Sequence, residues 1–202
     1  MQSIDSKILN RIYGGGRGCV VTPNDFLDLG SRQAVDVALH RLVKKGTLRR
    51  VARGLYDYPK IDPELGPLSP TIDALVKALK GHDNIRLQPS GGYAANLLGL
   101  SEQVPMKVVF LTDGPTRKVQ LGRQIIQLKR TTPRAMATAG RVSGLVIQAL
   151  RHIGMRQVDD SIVKRLRNRL SVEDKKQLVR DVRYAPAWVA SWMRRVAEGN
   201  EG

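Results

Sequence analysis

The sequence has little cysteine, few aromatic residues and no long apolar run. Its single cysteine, Cys19, excludes a disulfide within the chain and indicates a reducing compartment. Aromatic residues make up only 4% of the chain, so the core must be mainly aliphatic. No stretch of about 18 apolar residues could span a membrane, and the N-terminus lacks the basic and then apolar order of a signal peptide. We therefore expect a cytoplasmic protein.

Acidic residues are scarce relative to basic ones. Thirty-four lysines and arginines against 18 aspartates and glutamates give a formal net charge of +16. Residues 1–60 carry 11 basic and 5 acidic side chains, and residues 133–202 carry 14 and 7, so both ends are basic. This excess predicts a polyanionic partner, usually nucleic acid; a bias toward solubility or an acidic protein partner also fits it.

Residues 1–60 have the pattern of a winged helix-turn-helix. Apolar residues at helical spacing predict a first helix that ends at the glycines Gly14–Gly16. Thr22-Pro23 begins a second, short helix, and Ser31 caps a third that extends to Lys45. Two short helices joined by a tight turn are typical of the helix-turn-helix, whose second helix enters the major groove of DNA.

A basic hairpin follows the third helix directly. Two strands are predicted, Leu48–Val51 and Leu55–Tyr58, with a turn at Ala52-Arg53-Gly54 where glycine can adopt the left-handed conformation. In this position the hairpin is interpreted as a wing whose arginines contact phosphates or a minor groove. The alternative is a strand edge that is charged to prevent aggregation.

The candidate DNA contacts lie on the outer face of the third helix and on the hairpin. Gln33 suits adenine and Arg32 suits guanine, each through paired hydrogen bonds, whereas His40 and Lys44 suit phosphates. Asp36 would accept a hydrogen bond from cytosine or hold Arg32 or His40 in place. The predicted DNA-binding set is Arg32, Gln33, Asp36, His40, Arg41, Lys44, Arg49, Arg50 and Arg53.

One motif in this region is shared with a known family. A helix with L-x-x-L-V-x-x-G precedes T-L-x-R-V-x-R-G-L-Y-x-x-P and resembles the N-terminal domain of AbiEi-family antitoxins. The matching residues are Leu39, Leu42, Val43, Gly46, Thr47, Leu48, Arg50, Val51, Arg53, Gly54, Leu55, Tyr56 and Pro59. The resemblance is strongest over residues 1–60 and extends more loosely through residues 90–100 to about residue 130.

The resemblance implies a function. AbiEi-family members are antitoxins of type IV toxin-antitoxin systems, paired with a nucleotidyltransferase-like toxin. Their N-terminal winged helix represses the operon by binding inverted repeats in its promoter, and the remainder counteracts the toxin, directly or indirectly. By this similarity residues 31–44 are the recognition helix, and Arg49, Arg50 and Arg53 are wing contacts.

The remainder of the chain predicts an α+β architecture overall. A proline-rich segment, 61–70, is interpreted as a linker from the winged helix (1–60) to a small α+β unit (67–132) with a mostly antiparallel sheet. In that unit a turn at Asp113-Gly114 is expected to join two neighbouring strands. The predicted strands are Ile85–Leu87, Met106–Leu111, Arg117–Leu121 and Gln124–Leu128.

The pattern of residues 133–202 predicts helices throughout. The basic run from Lys164 to Arg169 would bind nucleic acid or an acidic partner, or is simply a solvated helix face. Trp188 and Trp192, one helical turn apart, would be core residues or, if exposed, anchors for a partner. The candidate partner-binding residues are Lys164, Arg165, Arg167, Arg169, Trp188 and Trp192.

No catalytic, metal or cofactor site is expected. The glycine run Gly14–Gly18 follows a helix and precedes a strand, the reverse of the order in a phosphate loop. His40, His82 and His152 lack the spacing of metal ligands. No Ser/His/Asp set can be assembled.

Three functional hypotheses remain open at this point. The first is an antitoxin that represses its own operon and counteracts a toxin. The second is an antitoxin that acts by protein interaction, with incidental DNA binding. The third is a general transcriptional regulator whose middle unit senses a small ligand.

Overall fold

The computed structural model describes residues 3–81, 85–103 and 105–198 and shows a mixed α+β fold, as expected from the sequence. The chain forms two compact units. The first consists of Met1–Ile85 with Val119–Arg123, and the second of Arg86–Lys118 with Gln124–Gly202.

The first unit contains helices and short strands in alternation. In chain order its elements are α1 (Ile4–Gly15), β1 (Val20–Val21), a 3₁₀ turn (Pro23–Phe26), α2 (Arg32–Lys44), β2 (Arg49–Ala52), β3 (Leu55–Asp57), β4 (Ile61–Asp62), β5 (Gly66–Pro67) and α3 (Ile72–Gly81).

Helices α1 and α2 pack on each other through aliphatic side chains. Ile8 and Ile12 of α1 share a core with the buried stripe of α2, and Phe26 from the 3₁₀ turn completes it. The Oγ of Ser31 accepts a hydrogen bond from the backbone N–H of Ala34, so α2 begins where its capping residue predicts. The same packing leaves the opposite face of α2 exposed.

Strands β1, β2 and β3 form a three-stranded antiparallel sheet in the order β1-β3-β2. In the β2–β3 hairpin Arg49 pairs with Asp57 and Arg50 with Tyr56, and the register shifts by one residue before Ala52. Gly54 has φ +69°, the left-handed conformation that the predicted turn requires. The hairpin predicted from the sequence is therefore confirmed, and β1 joins it as a third strand.

A buried ion pair holds this sheet. The side chain of Asp57 is 1% exposed, and its Oδ2 lies 2.6 Å from Nη2 of Arg49 while Oδ1 accepts from Nε at 3.2 Å. The same guanidinium group donates to the carbonyl oxygens of Pro67 and Leu68. One arginine therefore joins both strands of the hairpin to the end of β5 and the residue that follows it.

The proline-rich segment that was interpreted as a linker has structure of its own. Strands β4 and β5 pair antiparallel, with Ile61 opposite Pro67. The carboxylate of Asp62 accepts from the backbone N–H groups of Glu64 and Leu65, and these hydrogen bonds lower the pKa of Asp62. This segment is a folded part of the first unit.

The second unit is built from a sheet and a set of helices. Its elements are β6 (Leu87–Ser90), α4 (Gly91–Leu97), β7 (Lys107–Thr112), the first two residues of β8 (Arg117–Leu121, whose last three residues belong to the first unit), β9 (Gln124–Arg130), α5 (Pro133–Met136), α6 (Val142–Ile153), α7 (Asp160–Arg169), α8 (Val172–Asp181), a 3₁₀ turn (Val182–Tyr184) and α9 (Ala187–Ala197).

The four-stranded sheet differs from the prediction in its strand order. The order is β6-β7-β9-β8, so β7 does not pair with β8 as the turn at Asp113-Gly114 suggested. Instead β7 pairs in parallel with β9 and antiparallel with β6. The physical reason is burial: β7 and β9 carry buried apolar residues of the sheet centre, such as Phe110 and Leu128, whereas β8 alternates buried residues with the exposed Lys118 and Gln120, a pattern that suits an edge.

Helix α6 lies at the centre of the helical core of the second unit. Its residues from Val146 to Leu150 are all buried, and α4, α7, α8 and α9 supply the rest of that core. A polar cluster closes one end, where the buried Asp181 accepts from Arg141, Ser143 and Gln177 at 3.0, 2.5 and 2.8 Å. Because this carboxylate is fully hydrogen-bonded, its burial is tolerated.

We predict that Asp57→Asn destabilises the protein by about 1.5–3 kcal/mol, because the substitution removes a charge-assisted hydrogen-bond pair at a buried position. The measurement is the free energy of unfolding from urea denaturation. The control is Asp28→Asn, which removes an exposed ion pair with Arg11 (side chains 60% and 43% exposed) and should cost less than about 1 kcal/mol. Equal losses in the two variants would contradict the role assigned to Asp57.

Candidate nucleic-acid interface

The outward face of α2 is made of polar side chains with one apolar residue among them. The buried residues of the helix pack on α1 and Phe26, so the outward side chains are not needed for the core. Four exposed positions follow the spacing i, i+4, i+7 and i+11, which places them in one row along the helix. This central stripe consists of Gln33, Val37, His40 and Lys44.

Arg32 lies beside the central stripe, and two side chains orient its guanidinium group. Its Nε donates to both carboxylate oxygens of Asp36, at 3.1 and 3.2 Å, and its Nη1 donates to Oδ1 of Asn24 at 3.0 Å. Asp36 therefore holds Arg32 in place, which is one of the roles expected of it. Asn24 is an additional partner that the sequence did not indicate.

Arg41 lies on the other side of the central stripe. Its Nη1 is 3.4 Å from Oδ1 of Asp5 in α1, and its side chain remains 58% exposed. Because more than half of the Arg41 side chain is exposed, its guanidinium group remains accessible to a ligand. Together with Arg32 and Lys44, Arg41 makes the outward face of α2 positively charged despite Asp36.

The three hairpin arginines have different environments. Arg49 points to the buried Asp57 and to two backbone carbonyls, so its guanidinium group is occupied within the fold. Arg50 and Arg53 are exposed, and Arg53 occupies the turn next to Gly54. The structure therefore leaves Arg50 and Arg53 as the surface cations of the hairpin, while Arg49 anchors it.

Val37, which is not among the predicted DNA contacts, is 44% exposed in the middle of the central stripe. The signal was available in the spacing, because Val37 lies four residues after Gln33 and three before His40. The set of DNA contacts predicted from the sequence contains only hydrogen-bonding and charged residues, so it does not include this apolar side chain.

The basic run of α7 is partly used within the second unit. Lys164 and Arg165 are exposed, whereas Arg167 donates to the carbonyl oxygen of Arg195 at 3.1 Å and Arg169 to that of Leu97 at 3.1 Å. Two of the four predicted cations thus tie α7 to neighbouring elements through carbonyl oxygens.

The two tryptophans are half-buried. Both Trp188 and Trp192 pack against the helical core of the second unit, and the guanidinium group of Arg195 lies 4.6 Å from the centre of the Trp192 ring. Their contacts with the core are those of packing residues.

Among the described residues, no group of three or more His, Cys, Asp or Glu side chains could hold a metal ion, and His82 lies outside them. Cys19 is half-buried, and burial raises the pKa of its thiol. Within the same residues no helix has both the length and the apolar character needed to cross a membrane.

The comparisons with known proteins give a family and distant structural likeness to solved proteins. The crystal structure of the RV2827C protein from Mycobacterium tuberculosis is similar at 17% sequence identity and a TM-score of 0.48, over 98% of this chain and 78% of that one. No curated protein matches. A model for a family of unknown function, DUF6088, matches residues 7–178, and the chain therefore belongs to the DUF6088 family.

Proposed function

We propose that the first unit is a winged helix-turn-helix that binds promoter DNA. In this proposal α2 is the recognition helix and the β2–β3 hairpin is the wing. One observation carries it: the exposed, basic face of α2 is followed within a few residues by a hairpin that is anchored by Arg49 and exposes Arg50 and Arg53. A groove-reading helix beside a phosphate-binding ribbon needs these two surfaces.

The side chains of α2 suit base recognition in the major groove. Gln33 can pair with adenine, and Arg32 can donate two parallel hydrogen bonds to guanine. Asp36 and Asn24 already restrict the guanidinium group of Arg32, so less conformational entropy is lost when it binds. His40, Arg41 and Lys44 supply positive charge along the remainder of the helix for phosphates.

The hairpin arginines suit the DNA backbone. Arg50 and Arg53 carry exposed positive charge on a ribbon that is held by the ion pair of Arg49 with the buried Asp57. Neutralising phosphates releases counterions, so the affinity should fall as the salt concentration rises. Because phosphate contacts carry no sequence information, the wing would add affinity and orientation to the specificity of α2.

We further propose that the protein is a cytoplasmic antitoxin that represses its own operon and counteracts a nucleotidyltransferase-like toxin. The support is the motif from Leu39 to Pro59 that resembles AbiEi-family antitoxins, together with the helix-and-hairpin surface just described. Inverted repeats in the promoter would be the DNA target. The second unit, with the exposed Lys164 and Arg165 on α7, is the part left for opposing the toxin.

The central experiment is a footprint on the DNA upstream of the gene, made at two salt concentrations. We expect the wild-type protein to protect a discrete site, and the double variant Arg50→Glu/Arg53→Glu to lose that protection, because two phosphate contacts become repulsive. The dependence of affinity on salt should also be shallower in the variant.

A control variant with the same change in net charge separates the effect of the position of the arginines from the effect of the total charge. Lys176→Glu/Arg180→Glu reverses two exposed cations on α8 of the second unit. This variant should protect the site as the wild type does. If the hairpin variant protects the promoter as well as the control does, the wing assignment is wrong.

Arg32→Ala tests base reading by α2. We expect this variant to lose about 1–3 kcal/mol of binding free energy on the specific site and much less on unrelated DNA, because the lost contact is to a base edge. The measurement is a binding titration on both DNAs at one salt concentration. Equal losses on the two DNAs would show that Arg32 contacts phosphate only.

The antitoxin role is tested by co-expression with the nucleotidyltransferase-like gene of the same operon. We expect the wild-type protein to restore growth, and Arg50→Glu/Arg53→Glu to restore growth equally, because repression and toxin neutralisation are assigned to different units. Co-purification then distinguishes direct binding of the toxin from indirect action. Failure of the wild-type protein to restore growth would remove the antitoxin proposal and leave the DNA-binding proposal standing.

A further inference from the structure

The exposed valine on α2 is the one outward side chain of that helix without a polar group. Val37 is 44% exposed, although a β-branched apolar residue at a solvated helix position is favoured neither by helix propensity nor by burial. The buried stripe of α2 lies on the opposite side, so Val37 is not part of the core. Val37 is therefore available to a ligand that binds the outward face of α2.

The neighbours of Val37 place it at the centre of the proposed recognition surface. Gln33 precedes it by one helical turn and His40 follows by almost one turn, and Arg32 and Arg41 lie on either side of this row. Both arginines are engaged by carboxylates of the same unit, Arg32 by Asp36 and Arg41 by Asp5. The middle of the face thus presents an apolar contact point between ordered polar groups.

We infer that Val37 contacts the C5 methyl group of a thymine in the operator and so determines specificity at that base pair. The thymine methyl is the apolar group that a base edge presents in the major groove, and aliphatic side chains recognise it by contact. The inference rests on the proposed function, because it requires α2 to lie in the major groove.

The spacing within the central stripe also indicates where this thymine lies. Four residues of α-helix advance about 6 Å, whereas successive base pairs are about 3.4 Å apart. The base pair read by Val37 is therefore one or two steps from the base pair read by Gln33. With adenine as the partner of Gln33, the operator should contain two A·T pairs within that distance.

The test replaces single thymines of the footprinted site by deoxyuridine, which removes only the C5 methyl group. With the wild-type protein we expect one or two of these replacements to weaken binding by roughly three- to tenfold, the effect of losing one buried methyl contact. Val37→Ala should bind the unmodified site more weakly by a similar factor and show no further loss at those positions. Val37→Thr, which keeps one methyl group, should be intermediate.

The control for this test is a variant that loses an exposed apolar side chain outside α2. Leu65→Ala removes an apolar side chain that is 77% exposed in the β4–β5 hairpin, and it should retain the wild-type response to every replacement. The inference is overturned if Val37→Ala responds to deoxyuridine as the wild type does, or if no thymine of the site responds at all. Failure of the wild-type protein to bind the upstream DNA is a separate result that refutes the proposed function itself.

Discussion

The pairing of Arg49 with the buried Asp57 is the interaction on which the surface of the first unit depends. A carboxylate with 1% exposure is tolerated only when it has charged or polar partners, and Arg49 supplies two donors to it. The same guanidinium group also reaches the carbonyl oxygens of Pro67 and Leu68, so it connects the hairpin to the chain that follows. Successive side chains of a strand point to opposite faces, and Arg50 is consequently directed away from this cluster.

The arginines of the first unit therefore have different roles. Arg49 stabilises the hairpin, whereas Arg50 and Arg53 remain at its surface. On α2 the division is similar, because Asp36 and Asn24 orient Arg32 while the central stripe stays open. A recognition surface whose side chains are ordered in advance loses less entropy on binding, so internal contacts of this kind favour affinity without touching the ligand.

The second unit shows why the net charge alone does not tell how many cations are available to a ligand. Several of its arginines are engaged within the fold: Arg141 with Asp181, Arg167 with a carbonyl oxygen of α9, and Arg195 with Asp160. These cations count toward the formal charge of +16, yet their hydrogen-bonding capacity is partly used. The basic run of α7 predicted either a ligand-binding surface or a solvated helix face, and in the structure the donors of that helix are divided between the protein and the solvent.

Local features of the sequence determined the helices and the hairpin of the first unit. Ser31 caps α2, the apolar spacing defines its buried face, and Gly54 allows the turn, because each of these effects acts over a few residues along the chain. Tertiary structure alone decided that β9 inserts between β7 and β8, that Arg49 turns to Asp57, and that Asn24 reaches Arg32. These outcomes depend on which groups compete for burial and hydrogen bonds across the fold. The partners are brought together by the tertiary structure, so the spacing of residues along the sequence does not predict them.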